Sequence, residues 1–458
     1  MSNTLIATRP LAEADSTHID AQRGGIPDAF VHVYTALLVV GAVIVFLQFQ
    51  HQFDEIRAAL LSTTWGTTLL VLSLSVLAFK VGFLVFLLVH FLRYRETPSV
   101  DDELPTCTVI VPAYNEGRLV YDTLVSVARS SYPRHKLQVL AIDDGSTDDT
   151  WAWIQRAAQR LGDLVTVHQQ PRNMGKRHAL HWGFTQGRGE VFVTIDSDSV
   201  VDPDTLRNLV SPFVTDPRCG AVAGNVKVLN AESAIIPKML SVSFAYSFGV
   251  VRAAQSTMGS VLCTPGALAA YRRDAVLACL DRWVNQTFLG VPSDIGEDRA
   301  MTNLILKQGR HVLFQRNAVV YTNTPENYRT LRKMYTRWER SNVRENIVMS
   351  TFAFTKFREA ECLRPRLLLL NQWIAVLWAV PALLTAVLLL AAYPRLFLSS
   401  MVVSVALLSL IPATYYAATQ CWRRSLWIFS YNIFYAFTLF WITPFAIATA
   451  RTRGWLTR

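Results

Sequence analysis

The sequence predicts an α/β domain inserted between membrane-spanning helices. Apolar stretches of about the 20 residues a bilayer requires stand at both ends of the chain. Between them, short β-branched runs alternate with helical segments, as in a βαβ sheet. The composition agrees: 458 residues, 51% hydrophobic, with a mean hydropathy of +0.25.

The net charge is +10. On a membrane protein such an excess reflects cytosolic loops and anionic lipid or substrate rather than nucleic acid. The six cysteines are scattered without a C-x-x-C pair. That argues against a zinc site or a disulfide framework and fits a reducing cytosol.

Residues 1–29 are polar and lack the basic start and short apolar core of a cleavable signal, so they read as a cytosolic tail. Phe30–Phe49 and Leu69–Leu92 follow as two spans within 30–95. Arg93 and Arg95 place the next segment in the cytosol. Lys80 lies mid-span and points to a polar path through the bundle. Candidate strands are Thr106–Val111, Leu137–Ile142, Leu164–His168, Val191–Ile195 and Gly220–Gly224.

Within 323–366, Tyr328–Glu345 reads as an amphipathic helix. Leu331, Met334, Tyr335 and Trp338 form an apolar stripe; Lys333, Arg337, Arg340 and Arg344 form a basic one. It suits a membrane surface or the domain core. Three charge-free stretches, Leu367–Tyr393, Leu396–Gln420 and Ser425–Ala450, make up a C-terminal membrane region over 367–450. Three full crossings would leave the C-terminus outside, whereas Arg451, Arg453 and Arg458 place it inside. One resolution is that one of the three stretches is re-entrant or interfacial.

The chemistry gathers where strands end. Val191–Ile195 runs into Asp196 and Asp198, two hard oxygen donors at a carboxyl edge, where open α/β sheets bind ligands. Alternation along an extended chain would turn both carboxylates toward one Mg²⁺ or Mn²⁺ holding a diphosphate. The first strand ends in Tyr114 and Glu116, offering a flat face for a base and a polar group. The second ends in Asp143 and Asp144, acceptors for a uracil N–H or ribose hydroxyls. Lys176 and Arg177, after Gly175, can neutralise a diphosphate. In Gly296-Glu-Asp-Arg299, one carboxylate serves as general base or both simply cap a helix. Arg337-Trp338 pairs a phosphate-gripping fork with a ring broad enough for a sugar face. Each motif alone has a plainer reading as a turn, a cap or a core residue.

Taken in order, these stretches resemble family-2 membrane glycosyltransferases, above all the hyaluronan synthases and rhizobial chitin-oligosaccharide synthases. VPAYNE, DDGSTDDT, NMGKRHAL, DSDS, GNVKVLN, VLCTPGALAAYRRD, GEDRAMTNLIL and RWERSNVRE carry the likeness over about residues 108–345. Bacterial cellulose synthases share the core less closely. The resemblance implies a cytosolic GT-A domain at 101–322 inserted between transmembrane helices of the cell membrane. It implies a UDP-sugar donor, Mg²⁺ or Mn²⁺, and a growing polysaccharide as acceptor. Tyr114 would stack on uracil, with Glu116 and Asp143 beside it, and Asp144 would contact the uridine. Lys176 would lie near the phosphates, Asp196 at the nucleotide sugar and Asp198 on the metal. Asp298 would be the base, Arg337 would hold the diphosphate, and Cys263 and Trp338 would meet the acceptor. Trp455, Thr457 and Arg458, within 451–458, resemble a W-G-T-R gating loop.

Two positions depart from the family's pattern. Met334 stands where Q-x-x-R-W has Gln, and Leu456 stands where the gating loop has Gly. The function implied is processive, inverting β-transfer of UDP-GlcNAc and/or UDP-GlcA into a hyaluronan- or chitin-like polymer, with export. A non-processive transferase using a lipid-linked acceptor, or an export scaffold with an inactive domain, are the alternatives.

Overall fold

The computed structural model describes residues 27–100, 103–359 and 361–452. Trp455, Leu456, Thr457 and Arg458 lie outside the described residues, as does most of the N-terminal tail.

Two apolar helices come first, α1 (Asp28–Phe49) and α2 (Thr64–Arg93). A mixed sheet follows, in the spatial order β3-β2-β1-β4-β7-β6-β10-β5. Its strands are β1 (Cys107–Ala113), β2 (Leu137–Asp143), β3 (Val165–Gln169), β4 (Val191–Ile195), β5 (Ser199–Val201), β6 (Cys219–Val228), β7 (Leu268–Arg272) and β10 (His311–Thr322). A small hairpin, β8 (Thr287–Phe288) and β9 (Val291–Pro292), stands apart. β1 and β4 are buried along their whole length, because helices cover both faces of the sheet; this is why they read as unbroken apolar runs. β1, β2 and β4 are parallel, so their motif-bearing ends share one edge. The departure from a simple βαβ reading is β7, which runs antiparallel between β4 and β6.

Six further helices position the site and the membrane region. These are α3 (Lys176–Gln186), α4 (Ile235–Tyr246), α5 (Glu297–Lys307), α6 (Tyr328–Ala353), α7 (Leu363–Ala392) and α8 (Pro394–Thr419). α4 continues through a π-helical turn, Ser247–Arg252, into Ala253–Thr257. Four helices, α1, α2, α7 and α8, are long and apolar enough to cross a membrane. Midway along α2, Lys80 Nζ donates to Asn371 Oδ1 of α7 at 2.7 Å, joining the two helices.

The conflict over the C-terminus bears on the last apolar stretch. It is broken into α9 (Trp427–Thr438) and α10 (Ile442–Ala448), bent by 45°. Before it, Arg424 pairs with Glu232 of the domain at 2.6 Å. At the break, Tyr328 Oη donates to the Thr438 carbonyl at 2.9 Å. After it, Arg344 Nε and Nη2 donate to the carbonyls of Ala450 and Thr452 at 2.6 and 2.8 Å. Both ends are thus fastened to domain residues or their flank, and the bent pair packs along α6.

Of the two settings expected for α6, the contacts show packing within the protein. Leu331 and Met334 are buried against Trp427, Tyr431 and Ile442. Arg340 and Arg344 are buried too, spent on the terminal segment. Met334 therefore faces an apolar cluster, which suits Met as well as it would disfavour Gln.

Arg424→Cys and Thr452→Cys, labelled with an impermeant maleimide in sealed vesicles, should react from one and the same side. Labelling from opposite faces would show that the last stretch crosses.

Candidate active site

The site is built on the carboxyl edge of β1, β2 and β4. The loops after β1 and β2 are tied together. Asn115 N–H donates to Ser146 Oγ at 2.9 Å, and Thr147 N–H donates to Asn115 Oδ1 at 2.9 Å. Thr150 Oγ1 accepts from the N–H groups of both Glu116 and Gly117 at 2.8 Å. Tyr114 stands half-buried in this cross-tied wall.

Asp143 and Asp144 are buried. Asp143 accepts from Ser146 N–H at 3.0 Å and Gln169 Nε2 at 2.9 Å. Asp144 accepts from the N–H groups of Met174 and Gly175 at 2.9 and 2.8 Å. Burial raises its pKa, and those two backbone donors work against the rise. Both carboxylates thus hold the Asn173–Lys176 loop and the end of β3 in place, in addition to any ligand they meet.

Asp196 and Asp198 do not sit on an extended chain. β4 ends at Ile195, and Ser199 N–H closes a turn onto the Asp196 carbonyl at 3.1 Å. Ser197 and Ser199 point inward and both aspartates remain partly exposed, so the pair shares a face through the turn rather than through strand alternation.

From α3, Lys176 Nζ donates to Asp196 Oδ1 and lies 3.3 Å from Glu297 Oε1. Burial disfavours its charge, but Asp196, Glu297 and Asp298 outweigh burial and raise its pKa above the ordinary lysine value. Arg177 is turned away, as helix neighbours about 100° apart must be. Its Nη1 donates to the Trp283 carbonyl at 2.6 Å and Gln286 Oε1 at 3.0 Å. The expected pair of diphosphate cations is therefore Lys176 alone on this helix.

α5 presents the acids. Gly296 precedes it with φ +77°, and a Cβ there would lie 1.9 Å from Ser341 Oγ of α6, so only glycine lets the two helices meet. They are pinned further by Arg299, which donates to Asn342 Oδ1 and, at 2.6 Å, to Asn346 Oδ1. Asn303 Nδ2 adds a bond to Glu345 Oε2 at 2.8 Å.

Glu297 and Asp298 respond oppositely to the same burial. Burial pushes Glu297 up, but Lys176, the backbone and Arg337 hold it below the usual glutamate range. Burial and then the Glu297 charge raise Asp298, with Lys176 opposing. Asp298 Oδ2 accepts from Cys263 Sγ at 3.7 Å. Burial and the Asp298 charge keep that thiol protonated. Glu297 is thus an internal ion-pair partner rather than a mere helix-end charge.

Arg337 completes the edge. Burial lowers its pKa, opposed by the nearby charges of Glu297, Asp196, Asp298 and Asp198. Trp338 is 38% exposed, flanked by Tyr335 at 5.5 Å and Phe244 at 6.3 Å between ring centroids. Asp198 Oδ1 accepts from Ser199 Oγ and Thr322 Oγ1, both at 3.3 Å. Among the described residues no three His, Cys, Asp or Glu side chains converge as a metal cage. Mg²⁺ commonly takes one or two carboxylates and draws the rest of its shell from phosphates and water, and Asp198 fits that pattern.

The sequence reading missed Arg252, and it gave no role to Thr264, Tyr271 or Thr302. The last three form a hydroxyl chain under the site, with Thr264 Oγ1 2.9 Å from Tyr271 Oη and 2.8 Å from Thr302 Oγ1. A lone arginine in an otherwise apolar helical run was the available signal for Arg252.

The mixed sheet with carboxylates at its edge is the nucleotide-sugar-dependent glycosyltransferase fold of the GT-A type. A mannosyltransferase from Pyrobaculum calidifontis, solved with GDP-Man and Mn²⁺, aligns with a TM-score of 0.55 at 24% identity, over 78% of this chain and 97% of that one. Residues 105–341 match the family described as Glycosyltransferase like family 2, and the chain belongs to that family. It is 36% identical over 244 residues to the hyaluronan synthase of Streptococcus pyogenes, covering 52% of this chain and 57% of that protein. It is 33% identical over 256 residues to the N-acetylglucosaminyltransferase of Rhizobium leguminosarum bv. viciae, covering 55% and 60%. The chain thus spans somewhat over half the length of these relatives.

Proposed function

We propose that the protein is a processive, inverting β-glycosyltransferase of the cell membrane with its catalytic domain in the cytosol. It builds a hyaluronan- or chitin-like polysaccharide from UDP-GlcNAc and/or UDP-GlcA and passes it across the bilayer. The observation that carries the reading is Asp298. It is a half-buried carboxylate whose proton affinity desolvation and the Glu297 charge raise, beside Lys176 and Arg337. The relatives' names and the four long apolar helices support the sugar class and the membrane setting.

The reaction is a single displacement. Asp298 takes the proton of the acceptor hydroxyl. That oxygen attacks the anomeric carbon as the bond to the UDP oxygen breaks. Lys176 and Arg337 take up the charge left on the diphosphate. Tyr114 stacks on the base, Trp338 carries the acceptor sugar, and Cys263 keeps the Asp298 carboxylate aimed. Asp198 would hold the Mg²⁺ or Mn²⁺, whose contribution when bound is to neutralise diphosphate charge.

Asp298→Asn keeps the size and most hydrogen bonds but cannot accept a proton. UDP release should fall by about 10²–10⁴-fold, with UDP affinity retained; full turnover in this variant would remove Asp298 from the chemistry. The two neighbours of Asp298 should shift the acid limb of the pH–rate profile in opposite directions. Glu297→Gln removes a like charge, so Asp298 ionises at lower pH and the limb moves down. Lys176→Met removes the opposing cation, so the limb moves up. Shifts of equal sign would contradict the assignment. Asp198→Asn should abolish the stimulation that Mg²⁺ or Mn²⁺ gives to EDTA-stripped enzyme; undiminished stimulation would place the ion elsewhere.

A further inference from the structure

The π-helical turn at Ser247–Arg252 interrupts a helix that runs from the membrane region to the base. Such turns are rare and concentrate at functional sites. Within the turn, a Cβ on Gly249 would lie 1.9 Å from the Tyr415 hydroxyl, so the domain approaches α8 closely there. In α-helical geometry four residues overshoot a full turn by about 40°. The wider π-turn undershoots, and it brings Arg252 back over the residue four before it. Its guanidinium lies 3.7 Å from the Phe248 ring centroid.

The consequence is a continuous row of side chains. Trp338 meets Phe244 at 6.3 Å, Phe244 meets Phe248 at 6.0 Å, and Phe248 carries Arg252. Arg252 Nε donates to the Cys263 carbonyl at 3.5 Å, and the Cys263 thiol donates to Asp298 at 3.7 Å. Arg252 Nη1 donates to Ser247 Oγ at 3.2 Å. Both bonds are long for a group with five donors in a rigid fork. The row starts at the ring assigned to the acceptor and ends at the base.

We propose that Arg252 binds the acceptor. Its fork donates to oxygens of the terminal saccharide unit and turns the attacking hydroxyl toward Asp298, while Phe248 fixes the plane of the guanidinium. The proposal rests on the transferase reading above. It adds a saccharide-binding cation that the donor half of the site does not require.

The test uses the full-length protein in detergent, with UDP-GlcNAc and UDP-GlcA as donors. Chitotetraose and a hyaluronan tetrasaccharide ending in glucuronate serve as acceptors. Arg252→Ala should raise the acceptor KM by about tenfold, the loss of one charge-assisted interaction. The donor KM should change less than twofold, and the ratio of donor hydrolysis to transfer should rise. Arg252→Lys keeps the charge but loses the fork, and a rise of about threefold is expected; it carries the test if Arg252→Ala does not fold. An unchanged acceptor KM in a wild-type-like background would overturn the proposal alone, as would equal losses for donor and acceptor. Absence of UDP release from the wild type with either donor would overturn the transferase reading and this inference with it.

Discussion

The site depends on one cation among acids. Lys176 reaches Asp196 on the turn after β4 and Glu297 at the start of α5, and so joins the carboxyl edge of the sheet to the helix that carries the proposed base. Without it, Asp196, Glu297 and Asp298 would repel one another in a desolvated space, where unit charges interact far more strongly than in water. With it, the acids divide. Glu297 takes the ion pair and stays charged, whereas Asp298 pays for burial beside a charged neighbour and gains proton affinity. Two adjacent carboxylates of similar chemistry thereby acquire separate tasks.

The same arrangement bears on donor binding. A diphosphate adds negative charge to an edge that already carries Asp196, Asp198, Glu297 and Asp298. Lys176 is engaged by two of these, and the charges of all four also bear on Arg337, the other cation proposed to receive the phosphates. Its guanidinium comes from α6, the helix that also carries Trp338. The residues proposed for donor and acceptor therefore lie side by side on one helix, and α5 is pinned to that helix at Gly296–Ser341, Arg299–Asn346 and Asn303–Glu345. A shift of α6 would move Arg337, Trp338 and Asp298 together.

Much of this was legible in the sequence, for a physical reason. β1 and β4 are buried along their whole length, so each reads as a continuous, largely apolar run, and a polar motif marks where it leaves the core. β7 was not legible because Leu268-Ala-Ala-Tyr-Arg272 is small-residue-rich and fully packed, without alternation or β-branching. β10 hid behind Arg316 and Asn317, which sit where its pairing with β6 slips between Phe314 and Val319. The turn at Asp196–Ser199 reads as extended chain until Ser199 N–H is seen to close it. Arg340 and Arg344 read only as part of a basic stripe, since helical periodicity records polarity and not what covers it. The candidate site fared similarly: its acids and Lys176 announced themselves by type and position, whereas Arg252 depends on a π-turn that no local pattern in Ser247–Arg252 encodes.

Hydropathy alone does not separate a crossing from a covering segment, and the last apolar stretch is the case in point. A segment that covers the apolar face of an amphipathic helix needs the same composition as one that faces lipid. What separates the two is where its ends are held. Here Arg424, Tyr328, Arg340 and Arg344 hold the stretch at its start, its break and its end, all from domain residues or the segment's own flank. The stretch thus encloses α6 on the side away from the sheet, and Met334, in the place of a family glutamine, belongs to that enclosure. Its apolar contacts with Trp427 and Tyr431 leave Arg337 and Trp338, one helical turn further on, as the residues of α6 that turn toward the site. The membrane region therefore supplies the back wall that fixes the catalytic helix, in addition to any path it offers the product.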